Sequence, residues 1–348
     1  MRARDAHAAG TVATMRAAVL RTFGEPLRIE QVPIPSPAEH EVLVRVRAAG
    51  ICATDLKLAA GRTAPPPSLP HIPGHEGAGD VVRDSGHLRA GQRVACHILD
   101  ACGVCGECRR GFPVFCADAT RMGLDRDGAM AEYVVVPRAL ALPFPDAMPY
   151  AHAAVAMDSI TTPWHALHGV GAVRAGERVL IAGIGGLGIN AVQIAVAAGA
   201  RVAAVDVDAS RLEQARLVGA ELAVAPESIE RVRAWADGAG VDVAVELSGR
   251  REGFDAAATA VRAGGRLVCC GYAPGVEYGM DSARLVLDNI QVLGSRNVTV
   301  AESVASLAAV ADGDVTPQIA DTYALEDVND ALERLRAGRA GGRLVIEP

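Results

Sequence analysis

The sequence predicts an α/β protein in two parts, a β-rich N-terminal region and a doubly wound parallel sheet behind it. Three observations carry this. Val179 to Asp206 reads as strand, glycine turn, helix, strand and acidic residue. From there to about Leu293, strand-like and helix-like segments alternate, giving six strands with helical crossovers. From Met15 to about Val136, short alternating runs lie between Pro- and Gly-rich turns with little helix, the texture of a partly open barrel.

In the first part, Met15–Leu20, Glu41–Val46, Gly91–Ala95 and Gly128–Val136 read as strands. Residues 1–14, ahead of the first of these, are either a disordered extension or a mis-assigned start. Ala151–His168 follows as a helix carrying Asp158 and then Pro163. In the second part the strands are Val179–Ala182, Val202–Val205, Leu222–Val224, Val241–Glu246, Arg266–Cys270 and Asn289–Leu293. The helices are Ile189–Ala198, Arg211–Val218, Ile229–Ala236 and Phe254–Ala263. Helices at Val304–Ala311 and Ala331–Arg336 and a last strand, Arg343–Ile346, are expected to pack back on the first part. The resulting division is 1–14 (extension), 15–160 with 297–348, and 161–296.

Composition narrows the function. The 348 residues suffice for about two domains. Half are hydrophobic and only 3% aromatic, so the cores must be built from Ala, Val, Leu and Ile. The net charge of −7 is dispersed, which points away from nucleic acid and membrane surfaces. No apolar run reaches the ~18 residues of a spanning helix, and Met1–Thr14 lacks the apolar centre of a signal peptide. A cytoplasmic protein is expected.

Two groups of residues carry chemistry. In Gly183-Ile-Gly185-Gly186-Leu187-Gly188, Gly183 permits a tight turn and Gly185 lets the backbone approach a pyrophosphate. Gly188 is expected to let helix and strand pack closely. The helix N-terminus offers free N–H groups to the phosphates. Asp206, ending the second strand, is placed to accept from a ribose 2′-OH, which favours NAD over NADP, although Arg211 lies nearby. The second group is Cys102, Cys105, Cys108 and Cys116. Two Cys-x-x-Cys steps with glycines between them let a loop wrap one tetrahedral zinc, and four thiolates leave no place for substrate. A pair of disulfides is the competing reading of the same spacing. Cys52 and His75, at two separate turns, are plausible ligands of another zinc.

Together, Gly50-Ile-Cys52-Ala-Thr54-Asp55, Gly74-His75-Glu76, the cysteine loop, Ala131-Glu132-Tyr133, the glycine turn and Gly342-Arg343 occur in an order that resembles the zinc-dependent medium-chain dehydrogenases of the alcohol dehydrogenase type. The resemblance covers essentially all of residues 15–348. It implies a GroES-like catalytic domain, a Rossmann domain and an active site in the cleft between them. It implies that Cys52, His75 and Asp158 ligate a catalytic zinc, with Glu76 behind the metal and Asp55 orienting a ligand. Thr54 matches the hydroxyl that passes the substrate proton outward, and Arg343 a residue that binds the pyrophosphate. Many relatives carry His where this chain has Lys57, which either touches the cofactor ribose or is a solvated lysine. His152 is the other ligand-type residue on the Asp158 helix.

The implied activity is reversible hydride transfer between an alcohol (primary, secondary or polyol) and NAD, with two zinc ions per chain. Three protein ligands leave a fourth zinc position for substrate, where the metal acts as a Lewis acid, and the nicotinamide takes the hydride. A biosynthetic carbonyl or imine reductase and a non-catalytic zinc or nucleotide sensor are the alternatives. Thr54 argues against the first of these, and the intact set Cys52, His75, Asp158 and Thr54 against the second. The resemblance also implies a homodimer or homotetramer, with Gln291–Ser295 as an edge strand pairing across a two-fold axis.

Overall fold

The computed structural model describes residues 13–348. The expected extension therefore lies outside the described residues, except for its last two positions. Of these, Thr14 already belongs to a strand.

The first part is organised by one long strand. β1 (Thr14–Val19) and β2 (Arg28–Pro33) form a separate antiparallel hairpin. β3 (Glu41–Ile51) buries Val42, Val44 and Val46 on one face and turns Arg45 and Arg47 out, the period-2 pattern of a half-buried strand. α1 (Ala53–Ala59) follows at once, and then come β4 (Glu76–Val81) and β5 (Arg93–Cys96). The short strands β6 (Leu99–Asp100) and β7 (Thr120–Arg121) pair across the base of the cysteine loop, which holds α2 (Gly106–Arg109). β8 (Tyr133–Pro137) and β9 (Ala141–Pro143) close this region. The sequence pattern did not disclose α1, β4 or the hairpin partner β2.

A helical run then leads to the second part. It was expected as one helix from Ala151 to His168. It is one continuous run, but α3 (Tyr150–Val155) and α4 (Thr161–Trp164) alternate with π-helical stretches at Ala156–Ile160 and His165–Val170. Pro163 has no N–H to give the Ser159 carbonyl four residues back. The Asn190 side chain donates to that carbonyl instead, at 3.0 Å.

The second part runs β10 (Arg178–Ala182), α5 (Gly188–Ala197), β11 (Arg201–Val205), α6 (Ala209–Leu217), β12 (Leu222–Val224) and α7 (Glu230–Trp235). It continues through β13 (Val241–Glu246), α8 (Arg251–Ala260), β14 (Val261–Cys269), α9 (Ser282–Leu287) and β15 (Gln291–Gly294). The strands form one parallel sheet in the order β12-β11-β10-β13-β14-β15. This is the doubly wound order, whose direction switches between β10 and β13. The helix expected over Phe254–Ala263 ends at Ala260, because β-branched Val261 is extended and already pairs with Val241.

α10 (Val300–Ala311) begins four residues before the expected Val304. Thr299 and Glu302 cap it reciprocally, each side chain bonded to the other's backbone N–H. β16 (Ile319–Ala324), α11 (Val328–Arg336) and β17 (Arg343–Glu347) then return to the first sheet. β16 was not expected, since most of its side chains are exposed and no apolar alternation marks it. The completed mixed sheet runs β16-β17-β3-β4-β5-β9, with β8 also on β3. β4 takes one edge of β3. Along the other edge, residues 41–45 face β8 and 49–51 face β17. No helix among the described residues is long and apolar enough to cross a membrane.

His97, just after β5, is buried with its Nδ1 2.8 Å from the Ser303 hydroxyl of α10. Burial pushes its pKa down to about 4. The unfolded chain takes up this proton near pH 6.5, the folded chain only near 4, so stability is lost as pH falls between the two. Urea unfolding at pH 7.5 and pH 5 should show about 2 kcal/mol of acid destabilisation from this group. His97→Gln should lose that share, and an unchanged pH dependence in the variant would refute the assignment.

Candidate metal centres and cofactor crevice

Strand register assembles the first site. β3 ends at Ile51 and β4 begins at Glu76 on the neighbouring antiparallel strand, with Gly50 opposite Glu76. Cys52 and His75 therefore emerge at the same end of the sheet. β17 starts there too, because Leu344 pairs with Ile51, and this adds Arg343. The helical run supplies Asp158 from its first π-helical stretch, where the widened turn alters which side chains share a face. Gly50 has to lack a side chain, since a Cβ there would fall 2.1 Å from a Glu76 carboxylate oxygen.

Cys52, His75, Glu76 and Asp158 present ligand atoms all within 4.8 Å of one another. His75 Nε2 lies 3.9 Å from Asp158 Oδ2 and 4.0 Å from Glu76 Oε1. A tetrahedral ion with bonds of 2.0–2.3 Å spaces its ligand atoms by about 3.3–3.8 Å, so small adjustments complete the shell. Asp55 sits behind: one of its oxygens accepts the Cys52 N–H at 2.8 Å, and the other is 3.3 Å from His75 Nδ1. That leaves Nε2 free to face the cluster, as an outer carboxylate does for a metal-bound imidazole. Thr54 Oγ1 is 3.6 Å from Cys52 Sγ and partly exposed. His152, on the same helical run as Asp158, is outside the cluster.

Arg343 adds a contact the sequence did not suggest. Its guanidinium donates to Glu76 Oε1 at 2.5 Å and to Asp158 Oδ2 at 2.6 Å, while its stem lies against Gly186 of the glycine turn. It therefore links the candidate metal ligands to the place expected for the pyrophosphate. The electrostatics follow. Burial pushes the Asp158 carboxyl up, but His75 and Arg343 hold it far below the usual range. Burial and Asp158 push the Cys52 thiol up, yet Arg343 and His75 carry it below its ordinary value. Both groups thus favour the anionic forms that bind a metal cation. Thr162, one helical turn past Asp158, fixes its other oxygen at 2.8 Å and was not foreseen.

The second site is the cysteine loop. Cys102, Cys105, Cys108 and Cys116 also present their sulfurs within 4.8 Å of one another. Cys102 Sγ is 3.5 Å from Cys116 Sγ and 4.0 Å from Cys108 Sγ. Disulfide sulfurs are ~2.05 Å apart. Four sulfurs at ~2.3 Å from a tetrahedral zinc lie about 3.8 Å apart, within the observed spread. The backbone N–H groups of Cys105 and Cys102 each point at a sulfur, at 3.4 Å, which suits thiolates.

At the switch between β10 and β13 a crevice is lined by Gly183, Gly185, Asp206, Arg211, Ser248 and Arg250, among others. Gly183 has φ of +93°, the left-handed backbone of its expected turn. Gly185 borders open space. Gly188 differs from expectation: a Cβ there would meet the Gly183 carbonyl at 1.9 Å, so its missing side chain serves the turn itself rather than helix–strand packing. Leu187 precedes α5 as its N-cap, half-buried beside Gly186. Asp206 lines the crevice, but its oxygens also accept the Ile184 and Asp208 N–H groups at 2.6 and 2.9 Å. Arg211 Nη1 stands 3.8 Å from it.

Lys57 has a specific partner on the far side of the cleft. It is half-buried and donates across the cleft to the Tyr272 carbonyl at 2.9 Å.

Comparison with known proteins agrees with this geometry. Residues 38–146 match the family description "Alcohol dehydrogenase GroES-like domain" and residues 186–312 match "Zinc-binding dehydrogenase". The chain is 36% identical over 340 residues to an alcohol dehydrogenase of Geobacillus stearothermophilus, covering 96% of this chain and 99% of that one. It is 35% identical over 338 residues to an alcohol dehydrogenase of Moraxella sp. (strain TAE123), with the same coverage. A solved NAD-dependent alcohol dehydrogenase, 30% identical, superposes with a TM-score of 0.91 over 96% of this chain and all of its own. With its two metal-ligand clusters, its glycine turn and these relatives, the chain belongs to the zinc-dependent medium-chain alcohol dehydrogenases.

Proposed function

We propose that Cys52, His75 and Asp158 hold the catalytic zinc of an NAD-dependent enzyme that interconverts a small alcohol and its aldehyde or ketone, and that Thr54 carries the substrate proton outward. The observation that carries this reading is the convergence of candidate ligands from the ends of β3 and β4 and from the π-helical turn at one sheet end, linked to the glycine turn by Arg343, which contacts Asp158 and lies beside Gly186. Zinc bound there supplies a Lewis acid for the substrate oxygen. The chain does the rest. Asp55 holds the His75 ring, and Glu76 backs the cluster with Arg343 across it. The Thr54 hydroxyl lies beside Cys52 on a partly exposed residue. Gly183 to Gly188 cradle the dinucleotide, Asp206 and Arg211 meet its adenosine ribose, and Arg343 reaches its pyrophosphate from beside Gly186. We draw the domain division at 15–160 with 297–348, and 161–296.

Two further readings accompany this one. β15 is one of the two outer strands of the parallel sheet; its own Val292 is 45% exposed, and Val286 and Leu287 of the preceding helix are 72% and 81% exposed. An unpaired edge flanked by apolar side chains suits pairing with a second copy about a two-fold axis, in a homodimer or within a homotetramer. None of the eight cysteines is paired in a disulfide, and a reducing compartment such as the cytoplasm suits ligand cysteines that must stay reduced.

The test is NAD reduction against a panel of primary alcohols, secondary alcohols, sugars and cyclitols. Turnover with at least one class is expected, with kcat/KM favouring NAD over NADP because Asp206 would oppose a 2′-phosphate. Zinc-loaded protein that turns over none of these, in either direction, would refute the reading.

A further inference from the structure

The contact between Lys57 and Tyr272 joins the two walls of the cleft. Lys57 lies on α1 three residues beyond Thr54, so the two share a helix face. Its Nζ donates to the Tyr272 carbonyl at 2.9 Å and stands 3.8 Å from the centroid of the Tyr272 ring. A single ammonium thus makes a charged hydrogen bond and a cation–π contact to one residue. Tyr272 follows β14, on the opposite side of the cleft. Its backbone rests on the turn after β13, where a Cβ on Gly249 would come within 2.8 Å of the Tyr272 nitrogen. The neighbours of Gly249, Ser248 and Arg250, line the cofactor crevice. The tie therefore runs from the Thr54 helix, through Lys57 and Tyr272, to the wall of the dinucleotide site.

We propose that Lys57 is a positioning residue that holds the Tyr272 loop, and with it the cofactor wall, against the catalytic side of the cleft, so that NADH leaves only after this contact breaks. The inference rests on the reading that the crevice binds NAD. Nothing in it requires Lys57 to touch the cofactor.

The experiment is stopped-flow measurement of NADH dissociation from the zinc-loaded protein, by displacement with excess NAD. Lys57→Met keeps the aliphatic stem and removes the ammonium, and about tenfold faster release is expected. Lys57→Arg should restore release to within about threefold of wild type, which a merely space-filling role would not require. Tyr272→Phe keeps both ring and carbonyl and should release NADH within twofold of wild type. Tyr272→Ala keeps the carbonyl but loses the ring and should fall in between. The double variant Lys57→Met with Tyr272→Ala should release no faster than Lys57→Met alone, because both changes cut one contact. Release from Lys57→Met within twofold of wild type would overturn the proposal. So would multiplying effects in the double variant, which would place Lys57 directly on the cofactor. A wild-type protein that binds no NADH would overturn the functional reading along with this one, whereas normal binding with unchanged release refutes this one alone.

Discussion

Asp158→Ala is expected to remove one of two zinc ions and to lower kcat/KM by at least about a thousandfold, the several kcal/mol a Lewis acid contributes. The three protein ligands proposed for the open site are a thiolate, an imidazole and this carboxylate, and no other side chain on the helical run is within the cluster. Its removal leaves Cys52 and His75 with Glu76, the one carboxylate that Arg343, having lost its contact to Asp158, would then engage. The cysteine loop shares no residue with this cluster, so its ion should stay. The wild-type site, harder in character than four thiolates, should also exchange its zinc faster than the loop. Metal analysis, circular dichroism and turnover on the same sample test all of this. An active variant still holding two zinc ions would show that Glu76 or another residue completes the site.

Thr54→Val is expected to cost about 10²–10⁴-fold in turnover while both zinc ions stay bound. The substitution keeps the β-branched shape at the start of α1 and removes only the hydroxyl, which lies 3.6 Å from Cys52 Sγ. The loss should fall on kcat more than on KM for NAD, because the hydroxyl is on the metal side of the cleft. A solvent isotope effect should change with it if the hydroxyl moves the proton. A valine variant within threefold of wild type would remove Thr54 from the mechanism.

The parts of the fold that could be read from the sequence are those with a local signal. The glycine turn, the six parallel strands and the cysteine spacing each sit within a short window. α1 was hidden because its seven residues follow β3 without a turn signal, and β16 because it is largely exposed. The start of α10 does have a local signal, the capping pair Thr299-x-x-Glu302. At the site, Cys52 and His75 were plausible ligands by residue type alone, whereas Asp158 followed only from the family resemblance. The pairing of Arg343 with Asp158 spans 185 positions, and that of Lys57 with Tyr272 spans 215. Such contacts depend on strand register and on the meeting of two walls, which no window of sequence carries. Gly188 shows the opposite case, where the motif named the right residue and the structure changed its reason.

The positions of the two ligand clusters along the chain also set an order of assembly. The cysteine loop closes over 14 positions between Cys102 and Cys116, and β6 with β7 pins it locally. The other cluster is complete only when the helical run brings Asp158 to Cys52, about a hundred positions earlier in the chain. By loop-closure entropy alone the longer closure costs about 2 kcal/mol more than the shorter. A growing chain can therefore close its cysteine loop before Asp158 is in place, whereas the other cluster waits for the helical run. Refolding with labelled zinc should take up the metal in two phases, and only the slower should vanish in Asp158→Ala. Simultaneous uptake at both sites would contradict this sequence of events.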